Sequence, residues 1–312
     1  TLDAREGRTF AYQESPVLGL PGGTGDAVRV ALEQFDSSDR TVYVFPGDMG
    51  LLTQRVVAQF RQDFEAQSCD MMVLTGLYDG VAEGNYYGRI VRVPEVDSQG
   101  APTGEDAGRV IAIKEHKDIL GLPVGGSEQL SYKGMNFTFT RDELLQVNEI
   151  NTLVVAFRES ALREHIGAMD TDNAQGELML TDLVEIFNRN ELIVRAVPAV
   201  SEEEILGFNV KSVWRQMETI AMRRSYERLM DIVTIVDEDD FYLDDDVIDQ
   251  IIALDESSGP LDIVIGKGVQ VGAGVQLGPK VLLGDRCRLS GDVVLGEGVQ
   301  IGPGVELSTY PG

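Results

Sequence analysis

The chain has 312 residues, of which 43% are hydrophobic, 25% charged and 7% aromatic, ordinary globular proportions with enough length for two domains. No run approaches the ~18 consecutive apolar residues of a membrane span, which excludes an integral helical membrane protein. The net charge of −26 repels polyphosphate backbones and argues against nucleic acid as a partner.

No signal peptide is expected, because residues 1–8 lack a basic start followed by an apolar core. Two cysteines, Cys69 and Cys287, are too few for a disulfide framework and read as free buried thiols of a reducing, cytoplasmic compartment.

In chain order, short apolar runs at 41–45, 71–75, 89–92, 110–113, 151–157 and 193–198 predict strands. Amphipathic stretches at 25–34, 52–66, 161–168, 181–188 and 212–230 predict helices between and after them. The alternation predicts an α/β domain over 1–211, a mostly parallel sheet covered on both faces. Residues 93–108 read as a hairpin or surface loop. A helical connector and acidic linker is expected over 212–258.

From residue 259 onward the period changes. Aliphatic residues recur every sixth position at Ile265, Val271, Leu277, Leu283, Leu289, Leu295, Ile301 and Leu307. A second series at Val269, Val275, Val281, Val293, Val299 and Val305 follows four positions later, with Cys287 in one slot. Period six fits neither helix nor flat strand; it is the hexapeptide repeat of a parallel β-helix, about two coils long here. The glycine after most members of the first series is expected to serve tight corners of positive φ.

Several short motifs sit where chemistry is expected. Gly22-Gly23-Thr24-Gly25 opens a helix, where backbone N–H groups favour acceptors, though such an entrance is more often turn chemistry. Asp48 follows a strand at what should be the carboxyl edge of the sheet, where a carboxylate can hold Mg²⁺ or simply cap a turn. Two histidines and unclustered cysteines make a zinc site improbable.

Gly23-Thr24-Gly25, Gly47-Asp48, Tyr87-Gly88-Arg89-Ile90, Glu115-His116-Lys117-Asp118, Glu149-Ile150-Asn151, Asn173-Ala174-Gln175-Gly176-Glu177 with Leu180-Thr181-Asp182, and Gly207-Phe208-Asn209 fall in one order. In that order they resemble the uridylyltransferase domain of the bacterial bifunctional family that acetylates glucosamine 1-phosphate and makes UDP-N-acetylglucosamine. The resemblance implies a Rossmann-like nucleotidyltransferase domain, then a left-handed β-helix over 259–312 that forms a homotrimer. It implies N-acetylglucosamine 1-phosphate and UTP as substrates and Mg²⁺ as cofactor. Gln13, Gly23 and Thr24 match the uracil positions, Gly88, Glu115 and Asn151 the sugar positions, and Asp48 with Asn209 the metal ligands. No residue is expected to act as a covalent nucleophile or base.

The chain departs from the family in three places. Family members open with a strand and a Gly-rich loop that cradles the triphosphate, and residues 1–12 contain nothing similar. The polypeptide as written is therefore expected to lack most triphosphate contacts and to be inactive or nearly so. The repeat is too short to support acetyl transfer. Residues 119–148 are longer than the family's connection and suggest an inserted hairpin or flap, and Gly50 replaces a common proline. Another hexose 1-phosphate or nucleotide is the nearest alternative, then a non-catalytic scaffold or regulatory subunit, then an acyltransferase built on the repeat.

Overall fold

The computed structural model describes residues 9–13, 18–36, 40–208 and 211–309, and the chain divides into two compact units, Thr1–Gly207 and Phe208–Gly312. Unit 1 runs α1 (Thr24–Leu32), β1 (Thr41–Val44), α2 (Gln54–Ala66), β2 (Met71–Leu77), β3 (Arg89–Arg92), β4 (Val110–Lys114) and α3 (His116–Gly121). It continues through β5 (Ser127–Tyr132), β6 (Met135–Thr140), α4 (Arg141–Gln146), β7 (Glu149–Arg158), α5 (Glu159–His165), α6 (Leu183–Arg189) and β8 (Val194–Pro198). The six expected strands and four helices of this region are all present, displaced by at most a few residues.

The central strands carry unbroken apolar runs, 71–74 in β2 and 153–157 in β7, because both faces of the sheet are covered there. Met71 and Val73 of β2 join Val155 and Phe157 of β7 in a core with Val28, Leu32, Leu183 and Phe187. The intervening Met72 and Leu74 join Val154 and Ala156 in a second core with Val56, Phe60 and Phe64 of α2. Period-two alternation thus places consecutive residues in different cores. Cys69 is buried in the second of these and, like Cys287, is a free thiol; burial and Asp70 push the Cys69 thiol up to about 11.

The sheet order is β4-β3-β7-β2-β8, with β1 also paired to β7. It corrects the expectation of a mostly parallel sheet: among the described residues β2–β8 is parallel, and β1–β7, β2–β7, β3–β7 and β3–β4 are antiparallel. The cause is the ten-residue β7, which runs against three neighbours. It pairs with β3 at Ile150 and with β1 from Val155 onward, switching partner at a bulge where Leu153 has φ 62°. Asn151 closes that bulge, its Oδ1 accepting from Leu153 N at 3.0 Å.

Residues 119–148 do contain a hairpin, β5–β6. Lys133 and Gly134, with φ of 47° and 80°, make the left-handed two-residue turn that matches strand twist. Leu130, Tyr132 and Phe137 bury its inner face against Val91, Val93, Ile111 and Leu144. Residues 93–108 form the expected loop, closed by a bridge between Val96 and Pro102.

Unit 2 begins with α7 (Lys211–Leu229), β9 (Thr234–Ile235), β10 (Phe241–Leu243) and α8 (Asp245–Ser258). The stretch expected as an acidic linker is therefore structured: its carboxylates face outward while Phe241, Leu243, Val247, Ile248 and Ile251 enter the core. The repeat follows as β11 (Val264–Ile265), β12 (Val269–Val271), β13 (Gln276–Leu277), β14 (Leu282–Leu283), β15 (Arg288–Ser290), β16 (Val294–Leu295), β17 (Gln300–Ile301) and β18 (Glu306–Ser308). These make three parallel stacks, β9-β11-β14-β17, β10-β12-β15-β18 and β13-β16. Partners in a stack lie three hexads apart, as in Val264, Leu282 and Gln300. Gln250 of α8 pairs with β13 as a strand would, its amide donating to Leu277 O and accepting from Leu277 N, both at 3.1 Å.

Both aliphatic series point inward through Leu289. The glycines after the first series differ from expectation. None has positive φ, and Gly266, Gly278 and Gly284 instead serve close backbone approach: a Cβ at Gly284 would lie 2.7 Å from Pro303 N. Positive φ falls two residues later, at Gly268, Gly274, Lys280, Arg286, Gly298 and Gly304.

Adjacent leucines test this register. Leu283 is 1% exposed and Leu282 39% exposed. Leu283→Ala is expected to cost about 2–5 kcal/mol in denaturant unfolding, and Leu282→Ala under about 0.5 kcal/mol. Equal costs, or the reverse order, would contradict the inward assignment.

Candidate functional site

The start of α1 is clasped to the segment before residue 180. Leu178 N donates to Gly22 O and Gly25 N to Leu178 O, both at 2.8 Å. Gly23 has φ 107°, and a Cβ there would sit 2.4 Å from Leu178 O, so only glycine fits. No side chain caps the helix. Gln13 reaches in, its Nε2 donating to Gly23 O at 3.0 Å and to Asp26 Oδ2 at 2.8 Å. Asp26 is fully buried and also takes a bond from Arg29. Gln13, Gly23 and Thr24 are therefore one constellation.

A second constellation forms where β3 and β7 begin and β4 ends. Gly88 is buried, and a Cβ on it would lie 3.0 Å from Glu115 Oε1. Asn151 N donates to Gly88 O at 2.9 Å. Arg89 is fully buried, its guanidinium donating to Tyr87 O and, at 2.6 Å, to Asn85 O, while among the described residues Nε has no acceptor. Burial, helped by Asp118, pushes the Glu115 carboxyl up, and the Thr181 hydroxyl and Arg89 pull it back down. His116 stands edge-on to Tyr86, and burial, helped by Arg89, lowers its pKa.

Two consecutive residues connect these constellations. Leu180 N donates to Thr24 Oγ1 at 3.1 Å, and Thr181 Oγ1 donates to Glu115 Oε1 at 3.4 Å. Thr181 carries no diagnostic chemistry, so sequence reasoning set it in a motif without a role. The Asn173–Glu177 turn docks on the same region through Ala174 N, which donates to Asp118 Oδ1 at 2.6 Å.

Asp48 stands against Gly207, where a Cβ would come within 3.2 Å of Asp48 Oδ2, and close enough to Tyr87 to help burial raise that phenol's pKa. Asn209 lies outside the described residues. Among the described residues no cluster of three metal-ligating side chains occurs. One hard carboxylate fits Mg²⁺, which is commonly held by one or two carboxylates together with substrate phosphates.

A cavity of about 790 Å³ opens beside Glu115 and Thr181, lined also by Lys114, Asp170, Asp182, Glu185 and the β5 residues Ser127–Gln129. Lys114 bridges Glu128 and Glu185 at 2.7 Å each, tying the inserted hairpin to α6. Burial, then Asp170 and Glu185, push the Asp182 carboxyl up to about 7 against the pull of Lys114. The folded chain holds this proton to about pH 7, whereas an unfolded aspartate releases it near 3.8, so stability falls as pH rises between those values. Asp182→Asn is therefore expected to raise stability at pH 8 by on the order of 1–2 kcal/mol, with the gain vanishing toward pH 4. A pH-independent gain, or a loss at pH 8, in melting experiments would contradict this.

The sequence is 30% identical over 241 residues to a bifunctional protein GlmU of Clostridium tetani, covering 77% of this chain and 44% of that protein. It is 32% identical over 226 residues to the protein of that name from Corynebacterium diphtheriae (72% and 39%) and 30% identical over 259 residues to that of an Exiguobacterium species (83% and 48%). The chain thus spans about half the length of the curated relatives it matches. No protein-family model matches it. Among solved structures, a mutant UDP-glucose pyrophosphorylase from Leishmania major in complex with UDP-glucose aligns with TM-score 0.36 and 15% identity over 97% of this chain and 65% of that one. A nucleoside-diphosphate-sugar pyrophosphorylase from Vibrio cholerae aligns with TM-score 0.37 and 14% identity over 62% and 64%. By its sequence relationship to the bifunctional GlmU proteins, the chain belongs to the GlmU family.

Proposed function

We propose that this chain carries the recognition machinery for joining a uridylyl group to N-acetylglucosamine 1-phosphate, giving UDP-N-acetylglucosamine and pyrophosphate. The observation that supports the reading is the link through Leu180 and Thr181, which puts Gln13, Gly23 and Thr24 in one structure with Gly88, Glu115 and Asn151. In this reading the Gln13 Nε2 bonds to Gly23 and Asp26 leave its amide oxygen to accept from a uracil N–H, while the uncapped N–H groups at the start of α1 donate to the base carbonyls. Glu115 accepts from sugar hydroxyls, and the buried Asn151 and Gly88 exclude water behind the acceptor.

The phosphate oxygen of the sugar attacks the α-phosphorus in line as the bond to the pyrophosphate oxygen breaks. Such a transfer depends on positioning and charge neutralisation, not on a covalent nucleophile. Asp48 and Asn209 would hold Mg²⁺, which supplies cationic charge between the phosphates when bound. The parallel hexad stacks of unit 2 are read as a left-handed β-helix and the assembly as a homotrimer, for which sedimentation should give three times the 34.1 kDa chain mass.

Product binding tests recognition without depending on triphosphate contacts. Calorimetry is expected to rank UDP-N-acetylglucosamine above UDP-glucose and GDP-mannose by about tenfold or more, with Glu115→Ala removing that preference. Equal affinities, or an Ala variant with the preference intact, would overturn the reading.

A further inference from the structure

We propose that Arg89 is the positioning residue of the acceptor half of the site: from beneath the 85–88 turn it fixes Gly88 against Glu115, ready for the sugar. The inference rests on the reading of Glu115 as a sugar-binding group. β3 reads Arg-Ile-Val-Arg, and its two arginines are used differently. Arg92, partly exposed, forms a two-pronged pair with the Glu149 carboxylate at 2.6 and 2.7 Å. Arg89 is fully buried and spends its terminal nitrogens on neutral carbonyls, those of Asn85 and Tyr87.

Burying a cation without direct neutralisation is costly, so the arrangement calls for a reason. Both carbonyls belong to the turn that delivers Gly88, and Asn85, itself buried, fastens the same turn through Oδ1, which accepts from Tyr87 N at 3.3 Å. From the far side, Asn151 N holds Gly88 O. The guanidinium is also near enough to Glu115 to favour its charged form, yet among the described residues no ion pair joins them. A direct pair would occupy the carboxylate; a charge one step away opposes the effect of burial and leaves its oxygens to a ligand. The groups bearing on Glu115 are Arg89 from β3, Asp118 from α3 and the Thr181 hydroxyl.

The test is calorimetric binding of N-acetylglucosamine 1-phosphate, with uridine monophosphate as control, to the 312-residue chain and to Arg89→Met, Arg89→Lys, Glu115→Gln and the paired variants. Arg89→Met is expected to weaken sugar phosphate binding by about tenfold or more and nucleotide binding by less than about twofold. Because the residue acts through Glu115, adding Arg89→Met to Glu115→Gln should cost less than about threefold more. Arg89→Lys, which restores charge but not the paired contacts, should recover part of the loss and return the lower pH limit of binding toward that of the unsubstituted chain. Unchanged sugar phosphate binding, equal loss of nucleotide binding, or full additivity with Glu115→Gln would overturn the proposal. If circular dichroism finds Arg89→Met unfolded, the cycle is read from Arg89→Lys by the same criteria. If the unsubstituted chain binds the nucleotide but no sugar phosphate, the reading of Glu115 fails and this inference with it.

Discussion

Two hydrogen bonds from neighbouring residues hold the candidate site together. The Leu180 amide reaches the start of α1, and the Thr181 hydroxyl reaches the end of β4. Both residues are buried, Leu180 in the same core as Val28, Leu183 and Phe187. A short turn anchored in the core thus sets the spacing between elements that lie far apart along the chain. Such a site is precise because its parts are fixed by packing and not by mutual attraction.

The acidic character of the chain frames this arrangement. With a net charge of −26, a buried carboxylate needs a local partner. Glu159 is paired by Arg40 and Arg163, and Glu204 by Arg55 and the Thr53 hydroxyl. Among the described residues no direct ion pair reaches Glu115 or Asp182, and burial raises both. Unpaired, displaced carboxyls gathered beside a cavity are the usual accompaniment of a binding site.

Much of this was legible in sequence because period reports burial. The continuous apolar strands located the sheet, and the hexads located the parallel stacks down to the residues that face inward. Strand direction was not legible: alternating elements suggested parallel pairing, whereas the long β7 runs against β1, β2 and β3. The acidic run before the repeat looked like linker because its charges mask the apolar face of α8. At the site, Gly88, Glu115 and Asn151 drew roles from their motifs, whereas Thr181 and Arg89 stood in motifs of the same set with no role. A threonine in a turn and an arginine in a strand are ordinary until burial shows what they hold.

The central claim is that the residues around Gln13 and those around Glu115 form one site for one molecule. A crystal structure of the chain with UDP-N-acetylglucosamine tests it most directly. The account requires the uracil to lie within hydrogen-bonding reach of Gln13 and the Gly23–Thr24 backbone, and the sugar to lie against Glu115 and Asn151. A ligand bound elsewhere, or one engaging only one of the two groups, would contradict it.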